Sequence, residues 1–173
     1  MSVSVQEADF DVGAEIAALS AGRDDVGAVA SFVGLVRTDK LAAEKTGAPQ
    51  GDSSCGQTES VRAMTLEHYP GMTEAALAAI VAEAKTRWNL LGVRVIHRVG
   101  RLQPGERIVL VVVASAHRGD AFGACEFIMD YLKTRAPFWK KEETLSGGRW
   151  VDAREADDAA AARWDGRQRK PNA

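Results

Sequence analysis

The residue types best suited to chemistry lie between Ser115 and Lys141, SAHRGDAFGACEFIMDYLKTRAPFWKK, with one further candidate at Arg37. Arg37 and Arg118 are permanent cations whose planar forks can grip a phosphate bidentately. His117 can shuttle protons near neutrality. Lys133 and Lys140 are close enough in sequence to approach one another. A neighbouring ammonium, or burial against Phe138 and Trp139, would suit a lysine to general acid–base or amine-nucleophile work. Phe138-Trp139-Lys140-Lys141 sets two large aromatics against two cations and reads as an anion pocket with an apolar wall. No hydroxyl or thiol nucleophile recurs with these groups. The plain alternative is that the cations are solvated ends of a helix and a hairpin.

The elements that must position these side chains follow from periodicity. Ile108 to Ala114 is a run of β-branched and aliphatic residues, predicting a buried strand that delivers Ser115, Ala116, His117 and Arg118 at its exit. Asp120 is the expected N-cap of a helix carrying Ala121, Cys125, Ile128 and Leu132 on one face, which Pro137 ends at or before Ala136. Lys133 and Arg135 fall in its last turn. From Asp120 to Lys133 such a helix spans roughly 20 Å, so His117 and Lys133 of one chain cannot easily reach one small ligand. If both serve one site, either the helix is broken or two copies of the chain assemble it, a two-fold dimer bringing the His117-Arg118 end of one to the Lys133-Lys140 end of the other.

Ahead of this region, Val3 and Val5 suggest an edge strand and Ala14 to Ala21 a helix, with a turn at Arg23-Asp24-Asp25. Val26 to Val36 is an apolar strand whose Gly27 and Gly34 predict a bulge or a close backbone approach, and it ends on Arg37. Residues 38–60 lose periodicity and collect Gly, Pro, Ser, Gln and Thr, reading as a mobile loop or an insertion. Val61 to Tyr69 alternates as a strand, Pro70-Gly71 turns, and Thr73 caps a helix whose stripe of Leu77, Ile80, Val81, Ala84 and Trp88 is core. Glu67 and His68 are adjacent strand residues, so they face opposite ways and make a poor acid–base pair. Gly92 to Gly100 is a strand with His97 on its valine face, a core histidine rather than a ligand. Leu102 to Glu106 is a turn on Pro104-Gly105. Past Lys141 the chain turns at Ser146-Gly147-Gly148 into a second hairpin arm, Arg149-Trp150-Val151, then a helix from about Ala153 to Trp164. The last residues, 165–173, are expected to be a disordered tail. Helices between strands with a late hairpin give an α+β fold in a single domain over 1–164.

At 173 residues, 46% hydrophobic and 27% charged, the chain can bury a core without disulfides or metal. The formal charge of -2 offers no global attraction to nucleic acid or an anionic membrane, so any anion site is local. Cys55 and Cys125 show neither C-x-x-C nor a His at ligand spacing, so neither a disulfide nor a zinc site is expected; no cofactor is expected either. There is no basic leader and no apolar run near the ~20 residues that span a bilayer, which points to the cytoplasm.

The runs LEHYPGMTE (66–74), VIHRVG (95–100), SAHRGDAF (115–122), FIMDYLKTRAPFWKKE (127–142) and RWVDAR (149–154) closely resemble the large, catalytic subunit of molybdopterin synthase, over nearly the whole chain from Gly27 to Trp164. The resemblance implies an α/β hammerhead-type fold with an antiparallel or mixed sheet and an additional hairpin subdomain. It implies a homodimer of large subunits, each binding a small ubiquitin-like sulfur-carrier subunit, in a heterotetramer. The carrier's C-terminal thiocarboxylate would enter the pocket and two sulfurs would pass, one per carrier, to cyclic pyranopterin monophosphate, making the dithiolene of molybdopterin. The family's pocket positions match Arg37, His117, Arg118, Lys133 and Lys140, with Lys141 and Glu142 adjoining and Arg154 at a further basic position. Lys133 is the first candidate for proton transfer and Lys140 the second. Sulfur arrives on the partner, so no reactive cysteine is required. The stretch around 40–60 is longer than the family pattern. A non-catalytic phosphate-ligand or RNA-associated scaffold using the Phe138–Lys141 patch is the alternative, weakened by the negative charge and the lack of a basic stripe.

Overall fold

The computed structural model describes residues 2–37, 62–144, 147–151 and 155–164. The elements in chain order are β1 (Val3–Gln6), α1 (Val12–Ser20), β2 (Ala28–Leu35), β3 (Ala63–His68), α2 (Met72–Arg87), β4 (Leu90–Arg98), β5 (Gly100–Leu102), β6 (Arg107–Ser115), α3 (Arg118–Arg135), β7 (Phe138–Thr144), β8 (Gly147–Val151) and α4 (Glu155–Ala162). The predicted loop or insertion at 38–60, Cys55, Arg154 and the tail lie outside the described residues.

The strand expected to be buried, β6, is interior to a four-stranded sheet ordered β1-β4-β6-β2, antiparallel to both β4 and β2, while β1 pairs parallel with β4 at the edge. Its alternation feeds two cores. Val109, Val111 and Val113 pack with Leu77, Ile80, Val81, Phe127, Ile128 and Leu132, from α2 and α3, whereas Leu110 and Val112 join Phe10, Ile96 and the apolar side of α1. Each of these side chains contributes about 1.5–3 kcal/mol by leaving water, which is why a strand apolar on both faces must be covered by helices on both. Trp88, Phe127 and Trp164 meet edge to face, at 5.2 Å between Trp88 and Phe127 and 5.8 Å between the two indoles. Gly123 makes room: a Cβ there would sit 3.0 Å from the Trp88 indole nitrogen.

The second sheet is antiparallel throughout, ordered β5-β3-β7-β8, and buries its own cluster of Val36, Met64, Leu66 and Leu102. The whole is therefore α+β, with helices on a mixed sheet beside a separate antiparallel hairpin sheet. Leu102, expected in a turn, instead ends the short strand β5, because its side chain is needed to close that cluster.

Two expected helix starts shift. The α3 N-cap is His117, not Asp120: the amides of Asp120 and Ala121 donate to the His117 carbonyl at 3.1 and 3.2 Å, so helical bonding is under way before Asp120, which falls in the first turn. The α2 N-cap is Gly71, at φ 82°, where its amide donates to Glu74 Oε2 at 2.7 Å. Thr73 lies inside that helix, its buried hydroxyl accepting from the Tyr69 amide at 3.1 Å and donating to the Pro137 carbonyl at 3.2 Å. The start of α2 is thus tied to the junction of α3 and β7. Pro137 does end α3 as expected, with Ala136 at the C-cap.

Candidate functional site

Side chains proposed from sequence gather at three stations. The first is the exit of β6. Ser115 is fully buried and its hydroxyl donates to the Asn89 carbonyl at 2.8 Å, fixing where the strand ends. The amide of Gly27 donates to the Ser115 carbonyl at 3.1 Å, and a Cβ on Gly27 would stand 2.3 Å from the Ala116 carbonyl oxygen. Only glycine permits that approach. The result is an open hollow lined by Gly27, Ala116, His117, Arg118 and Gly119, with His117 and Arg118 both exposed at its surface. A cationic fork and an imidazole beside the amino end of an 18-residue helix favour an anion.

The second station lies between the two sheets. Gly34 packs against β6, where a Cβ would be 2.7 Å from Val109 Cγ1, and the register shifts between Gly34 and Leu35. This bulge, with Val36 bonded to the Glu106 carbonyl at 2.9 Å and accepting from Gly105 at 2.8 Å, turns the chain so that Arg37 meets β7. Arg37, Lys140 and Glu142 then share a cavity of about 70 Å³ with Leu35, Val36, Met64 and Ile108. That is small against the several hundred Å³ of an ordinary ligand site; it can hold a phosphate-sized group or a chain terminus but not a whole pterin. Lys140 and Glu142 sit two apart on one face of β7, opposite Leu66 and Met64, and Lys140 Nζ lies 2.7 Å from Glu142 Oε1. Glu142 is only 5% exposed. Leaving a carboxylate so withdrawn from water without a partner is costly, so the contact with Glu142 holds the Lys140 side chain in place.

Lys141 points to the other face. Its stem lies over Gly148 and its ammonium sits 5.6 Å from the Trp150 ring, so it does not line the Arg37 cavity. The side chains Phe138 and Trp139 are likewise divided by the strand. Trp139 is half-exposed, while Phe138 stacks on His97 at 3.7 Å, 17° from parallel. His97 is the core histidine expected: Nδ1 donates to the Arg98 carbonyl at 2.8 Å, and burial pushes its pKa down to about 4, the His68 charge adding to that and the carbonyl opposing it. Buried and neutral, it is the platform under the strand that carries Lys140 and Glu142.

The third station is the carboxyl end of α3. Lys133 Nζ bonds Asp157 Oδ1 at 3.0 Å, on the first turn of α4. The two lysines do not pair with each other; each engages its own carboxylate. The 18 residues of α3 place Lys133 on the order of 23 Å along the helix axis from Arg118, so one chain does not bring the first and third stations onto one small molecule. Neither Asp157 nor the Lys140–Glu142 pair was singled out as a contact by the sequence reading. The second was discoverable from strand period alone, since residues two apart share a face; the first had no local signal. Cys125, packed in the helical core, has its thiol pushed up to about 11 by burial, which suits a structural residue.

The family profile described as MoaE protein matches residues 5–135. The chain is 60% identical over 163 residues to a protein of Ralstonia nicotianae named molybdopterin synthase catalytic subunit, covering 94% of this chain and 84% of that one. Among solved structures, a molybdopterin biosynthesis MoaE protein from Burkholderia ambifaria superposes with a TM-score of 0.73 at 53% identity, covering 94% of this chain and 97% of the other. Molybdopterin synthase from Staphylococcus aureus gives 0.69 at 27% identity, covering 86% and 95%.

Proposed function

Because the chain belongs to the MoaE protein family and has the sulfur-transferring function of a molybdopterin synthase catalytic subunit, we propose how its own residues divide that work. The substrate is cyclic pyranopterin monophosphate, and the sulfur arrives as the C-terminal thiocarboxylate of a small ubiquitin-like carrier subunit. Arg118 and His117 hold the phosphate at the open hollow, where both are accessible. Arg37 and Lys140 flank the narrower cavity, which fits an extended chain terminus better than a fused ring. Lys133 serves the proton transfers that accompany cyclic phosphate opening and the replacement of oxygen by sulfur; Lys140 is second to it. Arg154, outside the described residues, is proposed as a further basic contact. Lys141 has the least support, since it faces Trp150.

The observation that carries this reading is the separation of the stations along α3. Phosphate-gripping and proton-transferring groups of one sequence face different ends of the molecule, and a two-fold pairing of copies joins them. The working unit proposed is a homodimer of this chain with one carrier on each protomer. No described helix is long and apolar enough to cross a membrane, and a cytoplasmic setting is proposed, where both the carrier and a small phosphorylated pterin would be met. The scaffold reading leaves the Lys140–Glu142 pair and the match to catalytic subunits without a purpose.

The test is to incubate the protein with thiocarboxylated carrier and the cyclic pyranopterin and follow the dithiolene product by mass spectrometry, with carrier affinity measured by calorimetry. Lys133→Ala is expected to lower turnover by at least about 10²-fold, as loss of a general acid–base group does, with carrier binding unchanged. Equal loss of both would make Lys133 an interface residue instead.

A further inference from the structure

We propose that Asp157 is a positioning residue of the sulfur-transfer reaction, acting through Lys133; this rests on the assignment of Lys133 to proton transfer. The contact is direct, 3.0 Å between Lys133 Nζ and Asp157 Oδ1, with Lys133 half-exposed and Asp157 23% exposed.

The surroundings show why this contact is more than a fastening. Glu126, Asp130 and Lys133 are spaced four and three apart, so they form one stripe along α3. The other end of α4 is fixed without Lys133: Arg163 reaches Glu126 and Asp130, each at 2.7 Å, and the Trp164 indole donates to Asp130 Oδ2 at 2.7 Å. Trp164 and Ala161 are buried in the main core, and Arg87 donates to the Trp164 carbonyl at 3.0 Å. A half-exposed lysine pair adds little docking strength to such an anchor. What it does fix is the lysine. A flexible four-carbon stem at the end of a helix has many rotamers, and the Asp157 carboxylate selects one by its 3.0 Å contact. Helix α4 therefore sets the place of the group proposed to donate the proton, and the buried Trp164 anchor gives that setting its rigidity.

An acid in the first turn also stabilises a helix start, and the experiment separates that structural role from positioning. Asp157→Asn and Asp157→Glu are assayed in the assembled synthase for kcat, KM and thermal midpoint. In parallel, acylation of each lysine by an amine-selective ester is mapped by peptide mass spectrometry at fixed pH. The expected result for Asp157→Asn is roughly a tenfold fall in kcat with KM within about twofold. Lys133 acylation should rise several-fold and Lys140 acylation stay constant, with Asp157→Glu recovering most of the rate. Unchanged kcat, or a fall in kcat matched by a lower midpoint with Lys133 acylation unaltered, overturns the proposal. Lys133→Ala measured alongside distinguishes the levels: if it turns over normally, the assignment of Lys133 fails, whereas an inactive Lys133→Ala with an unaffected Asp157→Asn refutes only the role of Asp157.

Discussion

Acid should loosen the fold through His97, and the size of the effect follows from its surroundings. The folded imidazole is buried, stacked on Phe138 and held near a pKa of about 4 instead of 6.5. An unfolded chain takes up this proton below pH about 6.5, the folded one only below about 4, so between them the unfolded state binds more protons and stability rises with pH. The contribution is whole above 6.5 and is lost as pH falls through the window. At about 1.36 kcal/mol per pH unit, roughly 2 kcal/mol is gone by pH 5. Asp9 does not confuse the measurement: its carboxyl, held down to about 2 chiefly by the Arg107 hydrogen bond, loses its contribution only below about 3.8. Urea unfolding followed by tryptophan fluorescence at pH 7 and pH 5, at one protein concentration, gives the slope. The wild type should lose about 2 kcal/mol between these values and His97→Gln markedly less, whatever its stability at pH 7. Equal losses would show that His97 is not the group responsible, and that the platform beneath Phe138 is not a buried neutral imidazole.

Two further outcomes follow from the stations themselves. Gly27→Ala drives a Cβ onto the Ala116 carbonyl, so it should cost about 1–3 kcal/mol as overpacking does and raise KM for the pterin substrate by displacing His117, read by thermal melting and steady-state kinetics. Glu142→Gln removes the buried partner of Lys140; the lost charge-assisted bond should cost about 1–3 kcal/mol and weaken carrier binding in calorimetry through a displaced Lys140, whereas an unaltered affinity would detach that cavity from the carrier terminus.

Much of the fold was legible because its signals are local. The β-branched run of β6, the stripe of α2 and the stop at Pro137 each rest on a few neighbouring residues, and all three elements form where periodicity puts them. Gly27 and Gly34 were read as close approach or bulge, and the structure shows a near-contact at one and a register shift beside the other. The misses are long-range. Nothing near Leu102 says that it completes a cluster with Met64 and Leu66, and nothing near Thr73 says that its hydroxyl is reserved for Pro137. For the site, residue types were readable but groupings were not. Lys140 and Lys141 are neighbours in sequence and face apart in the fold, while Lys133 and Asp157, 24 residues apart, touch.

The claim on which the account turns is that each working site draws groups from two copies of the chain. Equal amounts of His117→Ala and Lys133→Ala protein, unfolded together and refolded with thiocarboxylated carrier, would give mixed dimers in about half of the population, each with one intact site of two. Dithiolene formation is predicted to recover to about a quarter of the wild-type rate, although neither variant alone turns over. A mixture as inactive as its components would contradict the shared site.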